Sequence, residues 1–218
     1  MADSSAQPTA KYRSDYQAPD YTIENVALEF DLDPSATKVI AVSTVVRQTN
    51  DITDLVLDGE KLELLSIKVN QQTHDAYQVS EGQLVISELP ARFELEVVTQ
   101  VNPKENKAFE GLYQSGDAFC TQCEAEGFRR ITYFLDRPDV LATYSTKIIA
   151  DKAQYPFLLS NGNKVDQGEL ANGKHWVSWQ DPFPKPSYLF ALVAGDFDLL
   201  EDSFVTQSGR TIALELFV

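Results

Sequence analysis

The chain has 218 residues, of which 43% are hydrophobic, and its formal net charge is −15. This length can bury a sizeable core without disulfides, as one large domain or as one domain and the start of another. The negative charge argues against binding to nucleic acid or anionic lipid, which need a basic surface, and suits a positively charged partner or substrate. No apolar run approaches the roughly 20 residues of a membrane helix. The polar stretch Met1–Ala10 lacks the apolar core of a secretory signal, so we expect a cytoplasmic protein.

Alternating apolar residues predict β-strands in the first half of the chain. Large apolar side chains occupy every second position from Val26 to Leu32, which is typical of a half-buried strand. Further strands are predicted over 55–57, 62–69, 84–87 and 93–97. Asp58-Gly59 separates the first two of these, and it predicts a hairpin because Asp-Gly favours turns that match the strand twist.

The second half continues the pattern, with strands predicted over 144–149, 176–179 and 188–193. Turn-forming residues separate them at 161–163, 172–173 and 181–186. Short helical turns are predicted only near 90–92 and 136–139, because no segment sustains a helical apolar repeat. The sequence therefore predicts an all-β protein, built as a sandwich or as a large, curved antiparallel sheet.

The C-terminal residues predict a last hairpin, in which Ser208-Gly209 joins 204–206 to 212–218. Chain termini usually end in small polar residues, whereas this chain stops at apolar Val218 within an alternating strand. We therefore expect a piece of a larger protein that continues beyond this strand. A natural terminal strand, tucked into the sheet, is the alternative.

Few residues of the chain could carry catalytic chemistry by themselves. The two histidines, His74 and His175, are isolated from each other, and a catalytic zinc site needs three protein ligands and an open position. We expect His175 to be a strand-edge residue. The zinc-protease, serine-hydrolase and phosphate-binding motifs are not found in the sequence.

The two cysteines, Cys120 and Cys123, form a C-x-x-C motif with three interpretations. A redox pair normally lies at a helix N-terminus in a βαβ unit, and a zinc knuckle needs a second pair of ligands. The sequence shows neither context. Two reduced structural thiols are therefore favoured, and thiol redox chemistry remains a competing hypothesis.

The stretch 109–130 mixes glycines, aromatics, amides and charges without strand alternation, as loops that carry binding sites often do. In an extended segment, Glu124 and Glu126 would point to the same face and could hold a cation. Alternatively, Glu126 pairs with Arg129 or Arg130.

A set of motifs occurs in order along the chain. They are Lys11–Arg13 with Asp15-Tyr16, Ala18–Tyr21, Gly111–Tyr113, Gln122–Gly127 with Arg129, Leu135–Asp139, Tyr155–Asn163 and Asp181–Pro186. Together these motifs closely resemble the bacterial aminopeptidase N family of gluzincin-type zinc aminopeptidases. The resemblance covers essentially the whole chain.

The resemblance implies a saddle-shaped, β-rich N-terminal domain over 1–196 and the start of a thermolysin-like catalytic domain over 197–218. In the family, the zinc ligands and the exopeptidase motif lie in that second domain, and this sequence does not contain them. We therefore expect no catalytic residue and no metal ligand in this chain. Zinc would be the cofactor of the whole enzyme, and the piece in isolation would be inactive.

The resemblance also implies two substrate-binding residues. Glu124 corresponds to the glutamate that binds the free α-amine of a peptide substrate, and Gln122 to the glutamine that lines the pocket for the first side chain. The chain would thus anchor substrates in an enzyme that removes N-terminal amino acids from peptides. The alternative is a stand-alone β-sandwich module that binds protein or carbohydrate, with Trp176, Trp179 and Phe183 as exposed aromatics.

Overall fold

The computed structural model describes residue 10 and residues 12–218. Residues 1–9 and Lys11, on which the predictions of a missing signal segment and of part of the N-terminal arm rest, lie outside the described residues. Within the described part of the chain, no helix is long and apolar enough to cross a membrane.

Seventeen strands and four short 3₁₀ turns make up the described chain, which confirms the all-β prediction. The strands are β1 (Tyr21–Asp31), β2 (Thr37–Arg47), β3 (Leu55–Asp58), β4 (Glu63–Val69), β5 (Gln72–Thr73), β6 (Tyr77–Ser80), β7 (Gln83–Ile86), β8 (Arg92–Val101), β9 (Gly111–Ser115), β10 (Ala118–Gln122), β11 (Ala142–Asp151), β12 (Phe157–Ser160), β13 (Asn163–Glu169), β14 (Lys174–Lys185), β15 (Leu192–Gly195), β16 (Leu199–Val205) and β17 (Thr211–Phe217). The 3₁₀ turns are Arg13–Asp15, Phe128–Arg130, Ala171–Gly173 and Ser187–Leu189.

The largest sheet has eight strands in the order β13-β14-β11-β1-β2-β8-β4-β5. Its pairs are antiparallel except for β1 and β11, which run parallel. Parallel neighbours need a long crossover, and here the crossover contains strands β2 to β10. Sequence periodicity predicts strands but not their partners, so this parallel pair was not predicted.

The inner face of the eight-stranded sheet packs against two smaller sheets, β3-β7-β6 and β12-β15-β10-β9. Alternate residues of β1 point inward, as the apolar alternation predicts: Val26, Leu28 and Phe30 are buried. Phe30 stacks on Phe190, with ring centroids 6.0 Å apart. One continuous apolar core therefore connects the three sheets.

The C-terminal hairpin is present as predicted. Strands β16 and β17 pair antiparallel from Leu199↔Phe217 to Val205↔Thr211, and the turn at 207–209 contains Gly209 with φ +82°. The pair forms a separate two-stranded sheet. Phe217 contacts Phe157 edge to face, with centroids 5.2 Å apart, so the hairpin is packed on β12.

The hairpin predicted at Asp58-Gly59 is wrong. Strand β3 pairs with β7, and Asp58 then exchanges two backbone hydrogen bonds with Phe134, while β4 pairs with β8. A Cβ on Gly59 would lie 2.1 Å from ring atoms of Tyr133, so this glycine permits a close approach to a distant segment.

Other local predictions are wrong because tertiary pairing overrides turn-forming composition. The run 181–186 was predicted as a turn, but β14 extends to Lys185 alongside β11. The strand predicted over 188–193 begins only at Leu192, after the 3₁₀ turn Ser187–Leu189. The helical turns predicted at 90–92 and 136–139 do not form: Ala91 is a bend, Arg92 begins β8 and 138–139 is a turn, whereas a 3₁₀ turn forms at Phe128–Arg130.

Candidate functional site

Residues 123–127, which we call the Glu124 turn, connect strand β10 to the 3₁₀ turn Phe128–Arg130. The N–H of Gly127 donates to the carbonyl oxygen of Cys123 at 2.8 Å and closes the turn. The side-chain amide of Gln122, the last residue of β10, donates to the carbonyl oxygen of Glu124 at 3.0 Å. The peptide bond between Glu124 and Ala125 is cis. The two predicted substrate-binding residues are therefore neighbours at the end of one strand.

Two glycines allow the Glu124 turn to fold back closely on β9. A Cβ on Gly127 would lie 2.2 Å from the carbonyl oxygen of Gln122 and 2.9 Å from the backbone nitrogen of Gly111. Gly111 has φ +70°, and a Cβ there would lie 2.6 Å from Cβ of Arg130. Larger residues do not fit these backbone positions, so the two glycines permit the close packing of the Glu124 turn against β9.

The Glu124 side chain is exposed on this turn. Within residues 12–218, no side chain forms an ion pair or hydrogen bond with its carboxylate; the one contact from Gln122 is to the Glu124 backbone. A carboxylate without an internal partner can receive a cationic group from outside the described chain.

The predicted shared face of Glu124 and Glu126 is wrong, because the segment is a turn and not extended. The alternative prediction for Glu126 is confirmed: its Oε2 lies 3.7 Å from Nη1 of Arg129. Among the described residues, no group of three or more His, Cys, Asp and Glu side chains could hold a metal ion.

The base of the site is an aromatic cluster around Phe128, which is fully buried. Its ring meets Phe134 and Phe190 edge to face, with centroids 4.8 and 5.4 Å away, and Tyr144 at 6.2 Å. Tyr144 and Phe190 also belong to the core of the large sheet. The Glu124 turn is therefore joined to the rigid body of the protein by the residue that follows it.

A buried ion pair beside this cluster was not predicted. The Asp136 side chain is 1% exposed and accepts two hydrogen bonds from Arg129, one from the backbone N–H at 3.1 Å and one from Nε at 3.0 Å. Both residues lie in the motifs that support the family resemblance, but neither was assigned a role. The sequence carried no clear signal for this pair, because a charge beside an apolar residue is common on protein surfaces, and charged side chains are buried only when they are paired.

Comparison with known proteins now supports the resemblance. The family model of the Peptidase M1 N-terminal domain matches residues 14–189. The chain belongs to the M1 peptidase family. The structure described above is that of an M1 N-terminal domain, with the Glu124 turn inside the matched region.

Relatives of this M1 domain confirm the resemblance to bacterial aminopeptidase N. The chain is 64% identical to Aminopeptidase N of Escherichia coli over 97% of its own length, and 57% identical to Aminopeptidase N of Haemophilus influenzae over 96%. It spans 24% of the length of each of these two relatives.

Two solved structures resemble the M1 domain in fold. One is Legionella pneumophila aminopeptidase A in complex with aspartic acid, with a TM-score of 0.88 and 40% identity, over 95% of this chain and 25% of that one. The other is the M1 zinc metallopeptidase from Deinococcus radiodurans, with a TM-score of 0.78, over 91% of this chain and 47% of that one. The second is 15% identical and shows the fold alone.

The cysteines of the M1 domain do not have the properties of a redox pair. Burial raises the pKa of the Cys120 thiol, and burial followed by the nearby charge of Asp136 raises the pKa of the Cys123 thiol. A redox cysteine needs the opposite shift, since the thiolate is the nucleophile. Both cysteines are free thiols on and after a strand, as the structural interpretation predicts.

The histidines are structural contacts. His175 was predicted as a strand-edge residue, but it is buried in β14, which lies between β13 and β11. Its Nε2 lies 2.8 Å from the carbonyl oxygen of Tyr155, and Nε2 of His74 lies 2.9 Å from that of Ser87. Each ring therefore satisfies a backbone group.

The aromatics proposed for a stand-alone binding module do not form one exposed platform. Phe183 is 76% exposed, whereas Trp176 and Trp179 are half-buried. The indole N–H of Trp179 donates to the carbonyl oxygen of Leu158 at 3.0 Å, and Lys147 lies over the ring of Trp176. Both tryptophans thus have contacts within the domain.

Proposed function

We propose that this M1 domain anchors the substrate of a zinc aminopeptidase, and that the Glu124 carboxylate binds the free α-ammonium of a peptide. The observation that carries the proposal is an exposed carboxylate with no partner among the described residues, on a turn that two glycines and a buried aromatic hold in place. The relatives named Aminopeptidase N support the reaction class.

An exopeptidase must measure one residue from the amino end of its substrate. A carboxylate at a set distance from the reacting atoms does this by pairing with the ammonium group, and Gln122 beside it would line the pocket for the first side chain. At ~4 Å such a pair contributes roughly 1 kcal/mol in water and about 4 kcal/mol at an effective dielectric of 20. A closed site in the longer protein would therefore strengthen the contact that an exposed Glu124 makes weakly.

The residue composition of the domain does not fit a zinc site, since no suitable group of ligands occurs among residues 12–218. By resemblance, the metal would be held in the catalytic domain of the longer protein, where it would supply the activation of a water molecule. We propose that the β domain ends near Asp196 and that 197–218 begin the next domain. In support, β16 and β17 pair with each other and with no other described strand.

The test replaces Glu124 by Gln in the full-length protein. We expect kcat/KM for an aminoacyl p-nitroanilide to fall by roughly 10³, which is about 4 kcal/mol, because the amide cannot neutralise the ammonium. Inhibition by an amino acid amide should weaken equally, while inhibition by its N-acetylated form should not change. Glu94→Gln, an exposed position on the outer face of the large sheet, is the matched control and should retain activity within twofold.

An unchanged kcat/KM in Glu124→Gln would exclude this role for Glu124. Residues 1–218 alone should neither hydrolyse the anilide nor bind zinc stoichiometrically. Hydrolysis by this pure piece, together with tightly bound zinc, would overturn the assignment of the chemistry to another domain.

A further inference from the structure

We propose that Arg129 is the positioning residue for Glu124, acting through a buried hydrogen-bond network with Asp136 and Ser187. This inference rests on the proposed function of Glu124. Arg129 touches no substrate in this scheme. Its role is to fix the position of the Glu124 turn relative to the core, so that the carboxylate contacts the substrate ammonium at a defined distance.

Arg129 donates three hydrogen bonds to Asp136. Its backbone N–H and its Nε both donate to Oδ2 of Asp136, and its Nη2 donates to the Asp136 carbonyl oxygen at 3.1 Å. Main chain and side chain of one residue thus bind main chain and side chain of the other. The geometry leaves Arg129 little freedom to shift relative to the segment 134–136.

Asp136 is in turn fixed from its other side. The hydroxyl of Ser187 donates to Oδ1 of Asp136 at 2.5 Å, and Ser187 is itself 1% exposed. Ser187 begins the 3₁₀ turn that leads to Phe190, whose ring packs on Phe128. The network therefore connects the Glu124 turn to the β14–β15 connection, which is distant in sequence but adjacent in the core.

The Arg129 side chain also contacts a residue of the Glu124 turn. Its Nη1 lies 3.7 Å from the carboxylate of Glu126, two residues after Glu124, and its Nη2 lies 3.8 Å from Asp58. Three carboxylates surround one guanidinium, so its charge is neutralised locally. Local neutralisation favours an ammonium-binding site, because an uncompensated cation beside Glu126 of the same turn would repel a positively charged substrate.

The neighbouring Arg130 pairs with carboxylates of two other segments. Its Nη2 donates to Glu60 at 2.5 Å, and its Nε lies 3.1 Å from a carboxylate oxygen of Glu110, the residue before Gly111. The Arg130 side chain thus connects the 3₁₀ turn Phe128–Arg130 to Glu60 and Glu110, whereas the Arg129 side chain connects Glu126 of the Glu124 turn to buried Asp136. Of the two arginines, Arg129 alone contacts both the turn and the buried Asp136.

Lysine cannot replace this arrangement, although it keeps the charge. A planar guanidinium presents several donors in a fixed fork, whereas an ammonium is a point charge on a flexible chain. Arg129→Lys in the full-length protein should retain the fold and loosen the turn. Because a misplacement of about 1 Å can cost about 10²-fold, we expect kcat/KM for an aminoacyl p-nitroanilide to fall by ten- to 10²-fold, mostly through KM.

A double-mutant cycle separates positioning from a structural role. If Arg129 acts through Glu124, Arg129→Lys should have little further effect once Glu124 is Gln, because the group that it positions has been removed. Arg129→Lys alone should also weaken inhibition by an amino acid amide, but not by the N-acetylated amide. A merely structural role would give additive losses and leave this discrimination unchanged.

Arg92→Lys is the matched control, since Arg92 forms a two-point pair with Glu24 on the exposed face of the large sheet. It should change kcat/KM less than about twofold. Ser187→Ala is the milder second variant if Arg129→Lys does not fold. Loss of one hydrogen bond to Asp136 should reduce kcat/KM about fivefold, again only while Glu124 is present.

The outcomes distinguish the two proposals. If Glu124→Gln itself leaves the preference for a free amine unchanged, the proposed function fails. If Glu124→Gln abolishes that preference but the effects of Arg129→Lys and Ser187→Ala are absent or additive with it, the positioning role of Arg129 is overturned and the function of Glu124 stands.

Discussion

Two arginine–carboxylate pairs of this M1 domain have the same chemistry but differ in solvent exposure. Arg92 and Glu24 pair across the outer face of the large sheet at 2.6 Å, with side chains 58% and 44% exposed. Arg129 and Asp136 pair beneath the Glu124 turn at 3.0 Å, with side chains 20% and 1% exposed. Both pairs use more than one hydrogen bond.

The difference follows from solvation. Water competes for the exposed pair, so it adds little to stability, and the sheet beneath it is held by backbone pairing and apolar burial. The buried pair has lost its water, and each partner depends on the other. Regular pairing determines the geometry of the large sheet, whereas the irregular segment 123–137 depends on a few specific polar contacts.

The largest loss of stability should come from truncating aromatic side chains in the core that the large sheet and the segment 123–137 share. Phe128→Ala removes a fully buried ring from beneath the turn, and Phe30→Ala does the same beneath β1. We expect each to lower the free energy of unfolding by about 3–5 kcal/mol, because each leaves a cavity. Chemical denaturation of the domain, followed by circular dichroism, measures both. An unchanged main transition in Phe128→Ala would show that the turn region unfolds separately from the sheet.

The next largest loss of stability should come from removing the carboxylate of the buried ion pair, and the exposed pair provides the comparison. Asp136→Ala leaves Arg129 without its main partner in a partly buried position, so we expect a loss of about 3 kcal/mol in the free energy of unfolding. Glu24→Ala removes the equivalent carboxylate from the exposed pair and should lower the free energy of unfolding much less, because water and salt screen that pair. Equal losses in the two variants, measured by the same denaturant titration, would show that burial does not distinguish the two ion pairs.

The smallest expected loss of stability depends on pH and on the buried thiol of Cys123, the first residue of the Glu124 turn. Burial raises the pKa of Cys123, so above the ordinary thiol pKa of about 8.5 the unfolded chain releases a proton that the folded chain keeps. Stability should therefore be complete at neutral pH and decline above about pH 8.5, by up to about 1.4 kcal/mol per pH unit. Cys123→Ala should make this slope shallower between pH 7 and 9.5. The same slope with and without the thiol would refute the linkage, whatever the packing cost at pH 7.

The strands could be predicted where burial on one face imposes a period of two. This holds for β1, whose inward residues alternate until a bulge between Ile23 and Asn25, and for the β16–β17 hairpin with its Ser208-Gly209 turn. Prediction from the sequence fails where the pairing partner of a strand is distant in sequence. Asp58-Gly59 has the composition of a hairpin turn, but β7 offers apolar partners for β3 and Phe134 continues the pairing.

The candidate site was predicted in part. The neighbouring positions of Gln122 and Glu124 follow from their spacing and from the family motif, and their binding roles remain proposals. The contacts of Asp136 and Ser187 could not be predicted, because these residues are 51 positions apart in sequence and meet only when β14 returns along β11. The stretch 109–130 was interpreted from its composition as a loop, but it contains strands β9 and β10, and the Glu124 turn follows them.

The sequence by itself determined the all-β class, the positions of strands such as β1, β8 and β11, and the family, because apolar alternation and ordered motifs are local properties of the chain. Tertiary structure alone decided the partners: the parallel β1–β11 pair, the burial of His175 and the Arg129–Asp136–Ser187 network beneath Glu124. The physical reason is that burial makes a polar contact obligatory, and burial depends on which distant segments pack together.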